Sequence, residues 1–152
     1  VSASLDSLPR PPLRIGWRRG DSTNALLTRE WLVANGLGGY ASGTVGGAPT
    51  RRYHGLLVAA LPAPLGRTVM LNYVGETLRL ADGSSVPLGA LDGGGDAVAA
   101  PEALAEFRLE NGLPVWRFEH AGVVLEKRVV VTHQQNTARA SYRLLVAPEP
   151  VT

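Results

Sequence analysis

The sequence predicts an all-β fold, an antiparallel β-sandwich, on three observations. Eighteen glycines and eleven prolines in 152 residues interrupt any long helix, since glycine costs about 1 kcal/mol and proline about 3 kcal/mol in a helix interior. Between them recur short runs rich in β-branched and aromatic residues, at strand length. Towards the end of the chain apolar and polar residues alternate with period two, which sends successive side chains to opposite faces of a sheet. Apolar residues make up 45% and charged residues 18%, a balance that excludes a disordered chain and supplies a core. The length allows one domain.

Residues 1–14 hold Pro9, Pro11 and Pro12 and read as an extended leading segment, with one ordered domain expected over 15–152. Glu30 to Ala34 has strand composition and stops at Asn35-Gly36. Six glycines between Gly36 and Gly47 make a loop or a distorted hairpin. Leu56 to Leu61 is a continuous apolar run, expected as a strand buried on both faces and ended by Pro62 and Pro64. Thr68 to Val74, Thr77 to Leu80 and Ser85 to Leu88 follow as strands, the last two joined at Ala81-Asp82-Gly83. Residues 89–101, with Gly93-Gly94-Gly95, read as a flexible loop. Phe107 to Glu110 should pair with Val115 to His120 across Asn111-Gly112, and Ala121-Gly122 should turn the chain into Val123 to Thr132. After a turn at Gln134 to Asn136, Ala138 to Val146 alternates as the strand of a sheet with one wet face.

Composition narrows function as well. Fourteen arginines and one lysine, Lys127, against thirteen carboxylates leave a net charge of +2, without the dense basic patch of a nucleic-acid binder. No cysteine is present, which removes disulfides, thiolate catalysis and cysteine-ligated zinc and is compatible with the cytoplasm. No stretch approaches the roughly 20 apolar residues that span a bilayer, and Val1 to Pro12 lacks the regions of a signal peptide. A soluble, cytoplasmic location with no membrane and no nucleic-acid partner is expected.

Most chemical signatures fail on context. Gly36-x-Gly38-x-x-Ala41 has the spelling of a dinucleotide fingerprint, but that fingerprint requires a helix to begin within it, and Gly43, Gly46, Gly47 and Pro49 prevent one. Ser42 lacks the Gly-x-Ser-x-Gly spacing of a nucleophile elbow. His54, His120 and His133 stand singly, so no metal is expected, and the carboxylates form no pair that marks a glycosidase. No cofactor is expected either. Trp31 and Trp116 lie in apolar strand patterns and read as core, whereas Trp17, among Arg14, Arg18 and Arg19, reads as the exposed indole.

Thr50-Arg51-Arg52-Tyr53-His54 stands out at the mouth of the apolar run. If extended, it places Thr50, Arg52 and His54 on one side and Arg51 and Tyr53 on the other. In a structural reading the arginines pair with carboxylates, Tyr53 covers core and His54 satisfies a loop carbonyl. In a functional one, the arginine donor forks, the tyrosine face and the amide of Asn35 suit a polyhydroxylated ligand, a sugar.

From Glu30-Trp31-Leu32-Val33-Ala34-Asn35-Gly36-Leu37-Gly38-Gly39-Tyr40-Ala41-Ser42-Gly43-Thr44, through Thr50-Arg51-Arg52-Tyr53-His54-Gly55, Gly66-Arg67-Thr68-Val69-Met70-Leu71, Leu113-Pro114-Val115-Trp116 and Leu125-Glu126-Lys127, the chain resembles the N-terminal domain of bacterial and archaeal glycogen debranching enzymes, over about residues 28–146. The resemblance implies a supersandwich-like β-sandwich belonging to an amylo-α-1,6-glucosidase, a glycoside hydrolase of glycogen catabolism. Its catalytic carboxylates belong to a following helical (α/α)-barrel domain, so this chain alone is expected to be inactive. The partners implied are α-glucan, as glycogen or limit dextrin, and that helical domain. Asn35, Gly38, Gly39, Tyr40, Thr50, Arg51, Arg52, Tyr53 and His54 become candidates for substrate binding or for the seam between domains. The family's sandwich is expected to continue beyond Thr152, which would leave an unpaired strand edge here and favour self-association. An autonomous carbohydrate-binding module and a purely structural domain are the alternatives.

Overall fold

The computed structural model describes residues 13–89, 91–92, 98–99 and 101–152. Among them the chain runs through β1 (Arg14–Gly16), α1 (Thr23–Thr28), β2 (Glu30–Ala34), β3 (Tyr40–Thr44), β4 (Gly55–Ala60), β5 (Arg67–Leu71), β6 (Thr77–Arg79) and β7 (Ser85–Pro87). It continues through β8 (Leu91–Asp92), β9 (Val98–Ala99), β10 (Leu104–Glu110), β11 (Leu113–His120), β12 (Val123–Val131) and β13 (Ala138–Val146). A five-stranded sheet, β1-β10-β11-β12-β13, packs against a four-stranded sheet, β2-β3-β4-β5, and every pairing is antiparallel. The fold is the all-β sandwich expected, with two small hairpins, β6-β7 and β8-β9, added.

The expected turns join the long strands. Asn111 (φ 53°) and Gly112 (φ 79°) reverse the chain between β10 and β11, and Ala121 (φ 48°) and Gly122 (φ 78°) do so between β11 and β12. Paired positive φ values of this kind match the right-handed twist of the strands they connect. Asparagine and glycine accept the conformation readily, while alanine carries a Cβ that opposes it.

The core is organised round indoles. Trp116 of β11 meets Trp31 of β2 edge to face at 5.3 Å between centroids, and meets Phe107 of β10 at 5.2 Å. Its Nε1 donates to the Val45 carbonyl at 2.8 Å, and Trp31 Nε1 donates to that of Thr44 at 3.2 Å. Both indoles are core, as expected. Trp17 is also buried, against expectation. Its backbone extends the β1 register by donating to Ala105, and the arginines about it turn outward instead, Arg14 to Glu106 and Arg19 to Glu102.

Further differences from the sequence reading have local causes. Helix α1 has fewer than two turns and no side-chain cap, so no apolar period could reveal it. Tertiary contacts hold it: Leu26 is fully buried, and its carbonyl accepts from Gly46. The glycine-rich stretch contains a regular strand, β3, paired residue for residue with β2. In β4 the neighbours Val58 and Ala59 point to opposite faces and are both buried, as a doubly covered strand requires. The expected flexible loop at 89–101 is in part the β8-β9 hairpin; Gly93 to Gly95 lie outside the described residues, as does the leading segment up to Pro12. Arg14 already belongs to β1. β13 alternates as expected but is exposed on both faces, because it lies at the margin of its sheet, where no strand among the described residues covers it.

Replacing Ala121 by asparagine should stabilise the protein by roughly 1 kcal/mol, the cost of holding an alanine in the left-handed region. A higher urea midpoint at unchanged slope would show it; an unchanged midpoint would mean that the turn carries no such cost.

Candidate functional site

The nine candidate residues fall into two groups. Asn35, Gly38 and Gly39 build the turn from β2 to β3. Asn35 is fully buried. Its Oδ1 accepts from the amides of Leu37 (2.8 Å) and Gly39 (3.0 Å), while its Nδ2 donates to the Gln135 carbonyl and to Asn136 Oδ1, each at 3.1 Å. All four hydrogen-bonding positions of the amide are thereby used. One side chain shapes its own turn and fastens it to the turn between β12 and β13, hence one sheet to the other. Two glycines are required there. A Cβ on Gly36 would lie 2.7 Å from His133 Cε1, and one on Gly39 would lie 2.8 Å from both Asn35 Nδ2 and the Val58 carbonyl oxygen. Gly38 contributes its carbonyl, which accepts from Arg67 Nε at 3.0 Å.

Tyr40, Thr50, Arg51, Arg52, Tyr53 and His54 form the second group, at the outer face of the four-stranded sheet. The segment before β4 is a turn, not the extended stretch assumed from the sequence, since the His54 amide donates to the Arg51 carbonyl at 3.0 Å. The turn brings Arg51 Nε to Glu30 Oε1. It also directs the Tyr53 carbonyl at Tyr40 and Ser42, whose hydroxyls both donate to it at 3.3 Å. Tyr53 does not cover core: it stands 49% exposed, with the Arg52 guanidinium 5.5 Å from its ring centre. Thr50 acts through its backbone, donating its amide to His54 Nδ1 at 3.1 Å.

His54 is the one buried member of this group. Its Nδ1 accepts a hydrogen bond from the Thr50 amide, so the neutral ring carries its proton on Nε2, which faces Glu30 Oε1 at 3.7 Å. Burial holds its pKa below the ordinary 6.5; the Glu30 carboxylate opposes that shift and the Arg51 cation adds to it. Behind His54, between the sheets, is a cavity of about 50 Å³ bordered by Trp31, Trp116, Lys127 and Glu76. At about 10–15 Å³ for each water, it admits a few waters and no sugar ring.

In front of His54 is a shallow groove of about 500 Å³, lined by Glu30, Leu32, Tyr40, Ser42, Arg52 and Tyr53 among others. It combines an open aromatic face, a guanidinium without an ion pair among the described residues, and hydroxyl groups. Glu30 is the single carboxylate lining it, and Arg51 engages that carboxylate. Sequence reasoning missed Glu30, Leu32 and Ser42 as members. The available signal was period two in β2: Trp31 and Val33 face the core, so Glu30, Leu32 and Ala34 face out, and the register sets Ser42 beside Leu32 and Tyr40 beside Ala34. Among the described residues no three His, Asp or Glu side chains gather as a metal site, and no helix is long and apolar enough to cross a membrane.

Asn35→Ala should destabilise the protein by about 2–4 kcal/mol, the cost of stranding several buried polar groups. Asn35→Asp, which keeps the acceptors and loses the donors, should recover only part of that loss in denaturant titrations. His54 sets a pH dependence. Between its lowered native pKa and 6.5 the unfolded chain binds more protons than the folded one, so stability falls as the pH drops through that window. His54→Gln should flatten the slope of stability against pH below 6.5, and an unaltered slope would remove His54 as its source.

A family model described as glycogen debranching enzyme N terminal matches residues 29–152. Comparison with curated proteins and with solved structures found no match. The matched span contains both sheets apart from β1, the Asn35 turn and every residue of the groove, and the chain therefore belongs to the glycogen debranching enzyme N-terminal family.

Proposed function

We propose that this chain is a non-catalytic β-sandwich domain of a glycogen debranching enzyme, which binds α-glucan at the groove on the outer face of β2 and β3 and docks onto a helical (α/α)-barrel catalytic domain. The domain would begin with β1, at Arg14, and the residues before it lead into it. The observation that carries the reading is the pairing of Arg52 with Tyr53 at the rim of the groove. An exposed ring offers a flat apolar face to a sugar, and the guanidinium offers donors to its hydroxyls. The groove's single carboxylate, tied to Arg51, supports binding over bond cleavage, since glycoside hydrolysis ordinarily takes two.

Docking is supported by exposed apolar side chains at the end of β5 and just after it, Met70, Leu71, Tyr73 and Val74. Self-association would use a different surface, the free edge of β13. A cysteine-free chain suits the cytoplasm, where glycogen breakdown would place it.

Calorimetry with maltooligosaccharides and glycogen tests the groove. Binding should weaken about tenfold or more in Tyr53→Ala and Arg52→Ala, with thermal stability near that of the parent because both side chains are exposed. Undiminished affinity in both variants would reject the site. Tight binding by the chain alone would favour an autonomous carbohydrate-binding module, and no affinity beside firm binding to the helical domain would favour a structural role.

A further inference from the structure

The turn that presents the rim of the groove is closed by one side chain. Thr50 donates its amide to His54 Nδ1 at 3.1 Å, and the His54 amide donates to the Arg51 carbonyl at 3.0 Å, so the ring and its own backbone bracket Arg51, Arg52 and Tyr53. Downstream the chain enters β4 at once, at Gly55, where a Cβ would lie 3.0 Å from the Leu71 carbonyl oxygen. The His54 end of the turn is therefore packed in place, and the ring holds the Thr50 end to it. Arg52 and Tyr53 stand exposed between the two ends.

A histidine makes this closure conditional on a proton. In the neutral ring Nδ1 has one lone pair, and the Thr50 N–H occupies it. A second proton on the ring can bind only there, where it sets an N–H against an N–H. No free carboxylate among the described residues compensates the charge. Glu30 of β2 faces Nε2 at 3.7 Å, beyond hydrogen-bond reach, and is already engaged by Arg51. Tyr40 of β3, on the groove side, brings only a hydroxyl. Across the cavity behind the ring, Lys127 of β12 is paired with Glu76 at 2.6 Å, and Tyr73 borders the same space. The ring itself is buried, which disfavours its charged form.

We infer that His54 is a proton-operated latch of the groove, which when neutral holds the turn that presents Arg52 and Tyr53 and when protonated releases Thr50 and lets that turn open. A ligand that needs the closed turn binds the form with the neutral ring, so its affinity is full above the native pKa of His54 and is lost as the pH falls through it. His54 is thus a positioning residue. The consequence for sugar rests on the groove's being the glucan site, whereas the opening of the turn does not.

Nuclear magnetic resonance on the isotope-labelled chain tests the latch without any sugar. At neutral pH the ring should carry its proton on Nε2. On acidification the Thr50 amide signal should leave its hydrogen-bonded position with the same midpoint as the ring, together with the amides of Arg52 and Tyr53. A Thr50 amide that ignores the ring's titration, or a ring that stays neutral until the whole chain unfolds, would overturn the inference. Calorimetry with a maltooligosaccharide tests the consequence. Affinity one pH unit below the ring's midpoint should be about tenfold weaker than one unit above it, as linkage to a single proton requires. In His54→Asn the side-chain oxygen takes the place of Nδ1 and binds no proton, so affinity should change less than about twofold over the same range. His54→Ala should bind weakly throughout. Parent affinity that is flat across the midpoint, or a fall that His54→Asn retains, would also overturn the inference. No sugar binding at any pH would reject the glucan reading alone, and the Thr50 amide would still decide the latch.

Discussion

The sandwich depends on what surrounds Trp116. Its indole touches Trp31 across the interface of the two sheets and Phe107 on its own sheet, its N–H reaches the carbonyl of Val45 just after β3, and the Lys127 ammonium lies 5.3 Å from its ring centre. One side chain thus sets the separation of the sheets, the end of β3 and the placing of a buried cation. Lys127 in turn pairs with Glu76 at 2.6 Å, with both side chains largely buried, and Tyr142 donates to the same carboxylate. Desolvation first, and then the Glu76 charge, hold the Tyr142 hydroxyl protonated, its pKa pushed above the ordinary range. A chain of contacts from the core indole therefore reaches the crossover after β5 and the marginal strand β13. Burying a lysine and a glutamate is costly unless each meets a partner, and here each does.

The groove follows from the same packing. With Trp31 directed inward against Trp116, period two directs Glu30 and Leu32 outward, and the β2-β3 register brings Ser42 and Tyr40 beside Leu32 and Ala34. Gly43 is small where the Trp31 ring lies against it, 3.5 Å from where a Cβ would be. His54 sits at the boundary. One nitrogen is bound to the Thr50 amide and the other faces Glu30, so the groove floor is fixed by hydrogen bonds while Arg52 and Tyr53 stand free at its rim. A rigid floor under an exposed aromatic keeps the ordering cost of binding low.

Strand pattern and turn chemistry made much of this legible in the sequence. The hairpins at Asn111-Gly112 and Ala121-Gly122, the inward indoles of β2 and β11 and the alternation of β12 can be read from residue spacing, because each depends on local backbone preference and period two. Helix α1 and the burial of Trp17 could not, since both arise from contacts with residues distant in sequence. For the candidate residues the limit was similar. The candidates were visible as a set, but their division into a turn device, Asn35 with Gly39, and a groove, Tyr53 with Arg52, depends on which way each strand face points. Glu30 joins Arg51 from 21 positions away, a relation that no local motif carries.

The two outer faces of the sandwich differ in how their charges are used. On the five-stranded sheet Arg108 reaches Glu106 at 3.5 Å, Glu110 at 3.2 Å and Glu126 at 2.8 Å, and its side chain is only 12% exposed. Arg108 and Arg128 flank Val115 in register, and Val115 is fully buried although it points away from the core. The arginine stems roof an apolar residue while their head groups are neutralised among three glutamates. A lattice so engaged offers a ligand few free donors. On the four-stranded sheet the opposite holds: Arg51 is committed to Glu30, but Arg52 has a tyrosine ring for its neighbour and no carboxylate among the described residues. Arginine is the more abundant on the five-stranded sheet, at Arg14, Arg108, Arg117, Arg128, Arg139 and Arg143, so abundance does not mark the candidate surface. What distinguishes the groove is a guanidinium left unneutralised beside an exposed ring, and that difference rests on where the register places the glutamates.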